Sequence, residues 1–134
     1  MGRSLIQVVD PSAQTVAQDG IINLGSVLRR YGCNCRLSGN AVEISGEGYY
    51  EVNASVALAP TAEGEISVTL YKDGAAVPGA VAYATAAAAG DSVTVPITAT
   101  IRQGCLCEGA SQLTLVLGEG AATVRNVSVR VVKG

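Results

Sequence analysis

The stretch GYYEVNASVAL, residues 48–58, holds the clearest alternating pattern in the chain. Its even positions from 50 to 58 read Tyr, Val, Ala, Val, Leu, and its odd positions from 49 to 57 read Tyr, Glu, Asn, Ser, Ala. Successive side chains of a β-strand point to opposite faces. The pattern therefore predicts a strand with one core-facing side and a second side that is small, weakly charged and free of lysine.

The same period of two recurs in further segments, which are separated by turns that contain Gly, Asp or Pro. Pro96 has no N–H to donate to a sheet ladder, so its strand should lie at a sheet edge or be bulged there. A chain of short alternating strands predicts an all-β sandwich of about 8–10 strands. The predicted strands are 40–45, 49–58, 65–71, 77–86, 92–102, 112–118 and 122–132, with one or two more within 20–32.

Composition limits both the core and the function. The chain has 134 residues, which suits one domain. It has no His, Phe or Trp, so the core must be mainly aliphatic. Charged residues make up 15%, whereas about 25% is typical. The net charge is −2, and Arg29–Arg30 is an isolated basic pair that we interpret as a solvated strand end. Nucleic-acid binding is therefore not expected, because it needs a basic stripe.

The first 19 residues alternate less regularly and contain Pro11. We predict that 1–19 form an N-terminal arm or linker, with one strand at most, and that 20–134 form the head domain. The opening residues lack the apolar run of a signal peptide. The run AVAYATAAAA at 80–89 is too short to span a bilayer. We therefore expect a soluble protein that is made in the cytoplasm and does not bind membranes.

The four cysteines form two Cys-x-Cys pairs, Cys33 with Cys35 and Cys105 with Cys107. Both pairs are predicted at strand ends, which can meet at one pole of a sandwich. Disulfides between the pairs are one interpretation, and each would stabilise by roughly 4 kcal/mol. A zinc or iron site is a second, weaker one, because structural zinc sites usually space their cysteines by two to four residues. Free thiols in a cytoplasmic product are the third.

Catalytic chemistry is not indicated. Without His the commonest general base is missing, and no glycine run forms a phosphate cradle before a helix. We expect no enzymatic activity, no catalytic residue and no cofactor. Sugar binding is the competing hypothesis. Sugars favour aromatic platforms, and the aromatic side chains proposed for a receptor-binding tip are Tyr71 and Tyr83.

Four motifs in order resemble the globular heads of the tumour necrosis factor and complement superfamily: GEGYYEVNASVAL, ISVTLYKDGAAVPGA, AAAGDSVTVPITATI and VRNVSVRVVK. The resemblance is strongest to small versions of this head from Gram-positive bacteria and their tailed phages. It implies a jelly roll that assembles as a homotrimer, with 49–58, 92–102 and 124–132 in the sheet that faces the threefold axis. The chain lacks the family's core Phe residues, acidic calcium loops and collagen-like stalk, so signalling and calcium dependence are not carried over.

The resemblance also gives the small, weakly charged strand face a role as the trimer interface, since a surface with few charges has little desolvation to overcome. The alternative is a solvated face on which Thr and Ser simply favour β structure. The predicted interface residues are Tyr49, Asn53, Ser55, Thr94, Thr98, Thr100, Asn126 and Ser128.

We therefore expect a structural, homotrimeric accessory component of a phage virion, such as a capsid decoration or head fibre. It would be made in the bacterial cytoplasm and attach to other virion proteins through residues 1–19. The alternative is a receptor- or glycan-binding module at a phage tail or at the bacterial cell surface.

Overall fold

The computed structural model describes residues 4–103, 110–118 and 120–133. These residues form eleven β-strands. In the described part of the chain, no helix is long and apolar enough to cross a membrane. The strands are β1 Ser4–Asp10, β2 Gln14–Val16, β3 Ser26–Tyr31, β4 Cys35–Ser38, β5 Ala41–Ile44, β6 Gly48–Pro60, β7 Gly64–Lys72, β8 Ala75–Ala86, β9 Val93–Gln103, β10 Ser111–Gly118 and β11 Ala122–Lys133.

The strands form two antiparallel sheets. The six-stranded sheet has the order β3-β1-β11-β6-β9, with β2 paired to the far end of β11. The five-stranded sheet has the order β4-β5-β10-β7-β8. This arrangement confirms the predicted all-β sandwich. It has one strand more than the upper bound of the prediction, and β2, with three residues, is the shortest.

Strand β6 carries the alternation that the sequence predicts. Tyr50, Val52, Val56 and Leu58 are fully buried, and Ala54 is 6% exposed. The residues between them from 49 to 57 are exposed or half-buried. Burying one large aliphatic side chain contributes about 1.5–3 kcal/mol, so this face of β6 is a main source of core stability.

Strand β9 pairs only with β6 in its sheet, and it forms one edge of that sheet. Pro96 lies opposite Ser55 and is exposed. The edge position predicted from Pro96 is thus confirmed.

The structure corrects the prediction of an N-terminal arm. Residues Ser4–Asp10 form β1, which lies between β3 and β11, and Ile6 and Val8 are fully buried. Apolar residues stand on both faces of this strand, so no clean alternation was visible in the sequence. Pro11 follows β1 rather than interrupting it. Residues 4–16 therefore belong to the sandwich and do not form a separate arm.

Within 20–32 only Ser26–Tyr31 forms a strand, and all of its residues are exposed. The preceding residues still contribute to the core, because Ile22 and Leu24 are buried. The Ile22 N–H donates to the Leu115 carbonyl at 2.9 Å, which ties this segment to β10.

Candidate functional site

The exposed side of the six-stranded sheet is the surface that the sequence pattern singled out; we call it the six-strand face. Strands β6, β9 and β11, which the resemblance placed in one sheet, are neighbours there. All eight predicted interface residues lie on this face. Six of them are exposed, and Ser55 and Ser128 are half-buried.

The strand register arranges these side chains in rows. One row runs Thr98, Asn53, Arg130, Gln7 and Arg29 across five strands. The next row runs Pro96, Ser55, Ser128 and Val9. Neighbouring strands lie about 4.7–4.9 Å apart. The rows thus bring polar groups from distant parts of the sequence into one continuous surface.

A shallow depression of about 390 Å³ lies in the middle of the six-strand face. Ser55, Ser128 and Asn53 line it, as the sequence pattern predicted for this surface, and so do Gln7 and Arg130. Gln7 was not predicted there because it lay in the supposed arm. Arg130 was not predicted because only small polar side chains were sought on the last strand.

Charges on this face are few. Arg102 lies over the ring of Tyr49, with its guanidinium carbon 5.7 Å from the ring centroid, an arrangement that favours a cation–π contact. These two residues are opposite each other on β9 and β6. In the described residues, the register also places Glu51, Arg29 and Arg130 on this face. Arg125 is exposed at the bulge of β11 beside Asn126.

The pole of the sandwich at which β9 ends and β4 begins holds Cys33 and Cys35; we call it the cysteine pole. Asn34 between them anchors the turn. The Ser4 hydroxyl donates to Asn34 Oδ1 at 2.8 Å, and Asn34 Nδ2 donates to the Ser45 carbonyl at 2.6 Å. The segment between β3 and β4 is thereby fixed to β1 and to the turn before β6.

The two described cysteines differ in environment. Cys33 is exposed and Cys35 is buried, and they are not bonded to each other. Burial raises the pKa of the Cys35 thiol from 9.0 to about 11, although the positive charges of Arg30 and Lys133 oppose this rise. Burial also raises the pKa of Tyr50 to about 12, with a smaller contribution from Cys35. At neutral pH Cys35 is thus a protonated, weakly reactive thiol.

The partner cysteines, Cys105 and Cys107, lie outside the described residues. The described residues that flank their segment are both at the cysteine pole: the Ser111 hydroxyl donates to Gln103 Oε1 at 3.0 Å. Cys35 and Ser111 also pair with Ile44 from its two sides. Disulfide pairing between the two Cys-x-Cys motifs stays a prediction.

In the described residues, no three His, Cys, Asp or Glu side chains group closely enough to hold a metal ion. Glu43 forms an ion pair with the exposed Arg36. The two tyrosines proposed for sugar binding lie on the other sheet. Tyr83 on β8 is 59% exposed, whereas Tyr71 on β7 is half-buried.

The two sheets and their strand order define a jelly roll like that of the tumour necrosis factor and complement C1q heads. Murine APRIL superposes with a TM-score of 0.74 at 10% identity, over 99% of this chain and 100% of that one. The globular domain of the zebrafish complement 1qA protein superposes with a TM-score of 0.69 at 10% identity, over 96% and 94%. The resemblance in the sequence is thus confirmed at the level of fold.

The vertex protein P5 of PRD1 is similar as well, with a TM-score of 0.56 at 8% identity over 97% of this chain and 96% of that one. No protein-family model matches the chain, and no curated protein matches it in sequence. At such low identities, these likenesses establish the fold and leave the function to be argued from the surface.

Proposed function

We propose that this chain is a non-enzymatic structural protein that assembles as a homotrimer through the six-strand face and serves as an accessory component of a phage virion. A capsid decoration or a head fibre is the role we favour. The observation that carries the proposal is the six-strand face itself, a broad sheet surface of small polar side chains with few charges. It occurs in the fold for which the sequence resemblance implies trimers.

The physical argument rests on desolvation. Hydroxyl and amide side chains such as Ser55, Ser128 and Asn53 are short, so a second copy can approach the sheet closely. Few charges need to be taken out of water, which keeps the cost of burial low. Homo-oligomers favour closed symmetric assemblies. In a threefold ring, one part of the face of each copy meets a different part of the face of the next copy, and a face that spans several strands offers both parts.

The proposed virion role is supported by the likeness to a phage vertex protein. Attachment to other virion proteins was expected through an N-terminal arm. Because β1 and β2 are strands of the sandwich, residues 4–16 are not available as a free arm, and we propose that attachment uses another surface.

The mass of the assembly in solution tests the proposal. Native mass spectrometry and light scattering should give three times the 13.5 kDa of one chain. A monomer at micromolar concentration would contradict it. The virion role has its own test, which is mass spectrometry of purified particles of the phage that encodes the chain. The protein should be present in copy numbers divisible by three.

A second candidate, a glycan- or receptor-binding module at a tail or cell surface, is favoured by Tyr83. Tyr83 is 59% exposed, and the residue opposite it on β7 is Ser67, which in turn lies opposite Gly118. These small neighbours hinder the approach of a sugar to the tyrosine less than large side chains would. Glycan-array binding that is lost in Tyr83→Ala and kept in the neighbouring Val81→Ala would favour this candidate.

A further inference from the structure

Arg130 poses a specific problem for the proposed trimer. It lies on β11 opposite Gln7 on one side and Asn53 on the other, and it lines the depression in the middle of the six-strand face. Once other copies cover this face, the guanidinium leaves water. A buried charge without a partner strongly destabilises an interface. Arg130 therefore needs an anionic partner in the assembly.

Within the described residues, no carboxylate pairs with Arg130. The ion pair found in the described residues joins Arg36 to Glu43, away from this face. The described side chains that line the depression with Arg130 are neutral. A neighbouring molecule can therefore supply the partner.

Glu51 is the carboxylate that the register places on the six-strand face in the described residues. It lies on β6, exposed, opposite Thr100 on β9 and Val132 on β11. Like Arg130, it makes no ion pair within the described part of its own chain. The two side chains stand on adjacent strands at a diagonal spacing of about 7–8 Å.

The register places two further arginines on this face, and they have less need of a carboxylate. Arg102 already lies over the Tyr49 ring. Arg29 is on β3, an edge strand whose residues are all exposed. A charge at the rim of an interface keeps its water and contributes little to affinity. Arg130, in the centre of the sheet, is the cation that loses its water.

We infer that Glu51 of each copy pairs with Arg130 of a neighbouring copy, so that three such pairs close the ring; this inference rests on the proposed trimer. The distance between equivalent residues of two copies increases with their distance from the threefold axis. Glu51 and Arg130 lie close together within one copy, so Glu51 of one copy can reach Arg130 of the next only if both residues are near that axis. The pairing places the threefold axis beside the depression that Arg130 lines.

Charge reversal tests the pair. Glu51→Arg and Arg130→Glu, each alone, put like charges together at all three contacts, and each should raise the dissociation constant of the trimer by roughly a hundredfold or more. The double variant E51R/R130E restores opposite charges and should recover most of the affinity. Arg29→Glu is the matched control at the rim, and it should stay trimeric.

A mixing experiment separates pairing between copies from pairing within one chain. The E51R and R130E proteins, each dissociated alone, should form mixed trimers when combined. In a ring of one variant, all three contacts between positions 51 and 130 join like charges. In a mixed ring, only one of the three contacts does. Sedimentation and native mass spectrometry report the species, and circular dichroism confirms that each variant is folded.

The outcomes are distinct. Single variants that stay as trimeric as the wild type, or a double variant that fails to recover, would overturn the pair and leave the proposed trimer standing. A monomeric wild type would overturn both.

Discussion

Ser55 and Ser128 lie directly opposite each other on β6 and β11, in the middle of the six-strand face. Both are half-buried by their neighbours in the sheet. Two such short side chains at the centre of a wide sheet leave room for a partner to approach closely, which is the property on which the proposed assembly depends.

Placing a long charge at this point should therefore separate the copies. In Ser55→Lys an ammonium group would be buried without a partner in the interface, at a cost of roughly 2–5 kcal/mol per contact. We expect a folded monomer by light scattering at a concentration at which the wild type is trimeric. Thr85→Lys, on the exposed edge strand β8 of the other sheet, is the control and should remain trimeric. Equal masses for the two variants would contradict the interface.

The raised pKa of the Cys35 thiol predicts how stability depends on pH. Because the folded pKa of about 11 lies above the ordinary value of 9.0, folding favours the protonated thiol. Its contribution is complete below about pH 9 and is lost as the pH rises towards 11. Under reducing conditions the free energy of unfolding should fall by on the order of 2 kcal/mol over this interval.

Urea denaturation between pH 8 and pH 10 measures the first half of this fall, before Tyr50 contributes appreciably. Tyr50 adds a similar loss only at higher pH, because its folded pKa is about 12 and its ordinary value is 10.0. Cys35→Ala should flatten the decline, whereas Cys33→Ala, at an exposed position, should keep it. An unchanged slope in Cys35→Ala would show that this thiol does not titrate as described.

The state of the four cysteines is open to direct measurement. If the two Cys-x-Cys motifs are bridged, the intact mass of the oxidised protein should be four protons below that of the reduced protein. Peptide mapping should then link Cys33 or Cys35 to Cys105 or Cys107. In the reduced protein, a brief treatment with iodoacetamide should modify Cys33 and spare the buried Cys35. Identical intact masses with and without reductant would rule out the bridges.

Gly25 should be intolerant of a side chain. Its φ is 80°, and a Cβ there would overlap the carbonyl oxygen of Val9. Gly25→Ala should lower the free energy of unfolding by roughly 2–4 kcal/mol. Gly39, with a φ of 60° and open space where a Cβ would stand, is the control, and Gly39→Ala should cost about 1 kcal/mol. Equal losses in urea denaturation would mean that the contact with β1 is not rigid.

The strands that the sequence predicted best are those with one apolar and one polar face. In β6, Val52 and Val56 alternate with Asn53 and Ser55, so both the strand and its orientation follow from the period of two. The place of β1 inside the sheet was missed for the opposite reason. The strand is apolar on both sides, with Leu5 and Val9 on the six-strand face, so its pattern does not distinguish a strand from a linker.

The candidate site was predictable only in part. Ser55 and Thr98 were found because they share strands with strong alternation. Gln7 and Arg130, by contrast, are far apart in sequence and meet only through the pairing of β1 with β11. The order of strands in a sheet depends on long-range pairing, which alternation alone does not encode.

Ser4 and Lys133 lie opposite each other at the cysteine pole, where β1 begins and β11 ends. A partner fused to either terminus would thus be attached near the cysteine pole. The loops at the other end, which carry Glu63 and Asp91 between neighbouring strands, point away from such a tether. With a fusion at either terminus, the end that carries Glu63 and Asp91 would face away from the fused partner. The pairing of β1 with β11 therefore determines the orientation in which the sandwich is displayed.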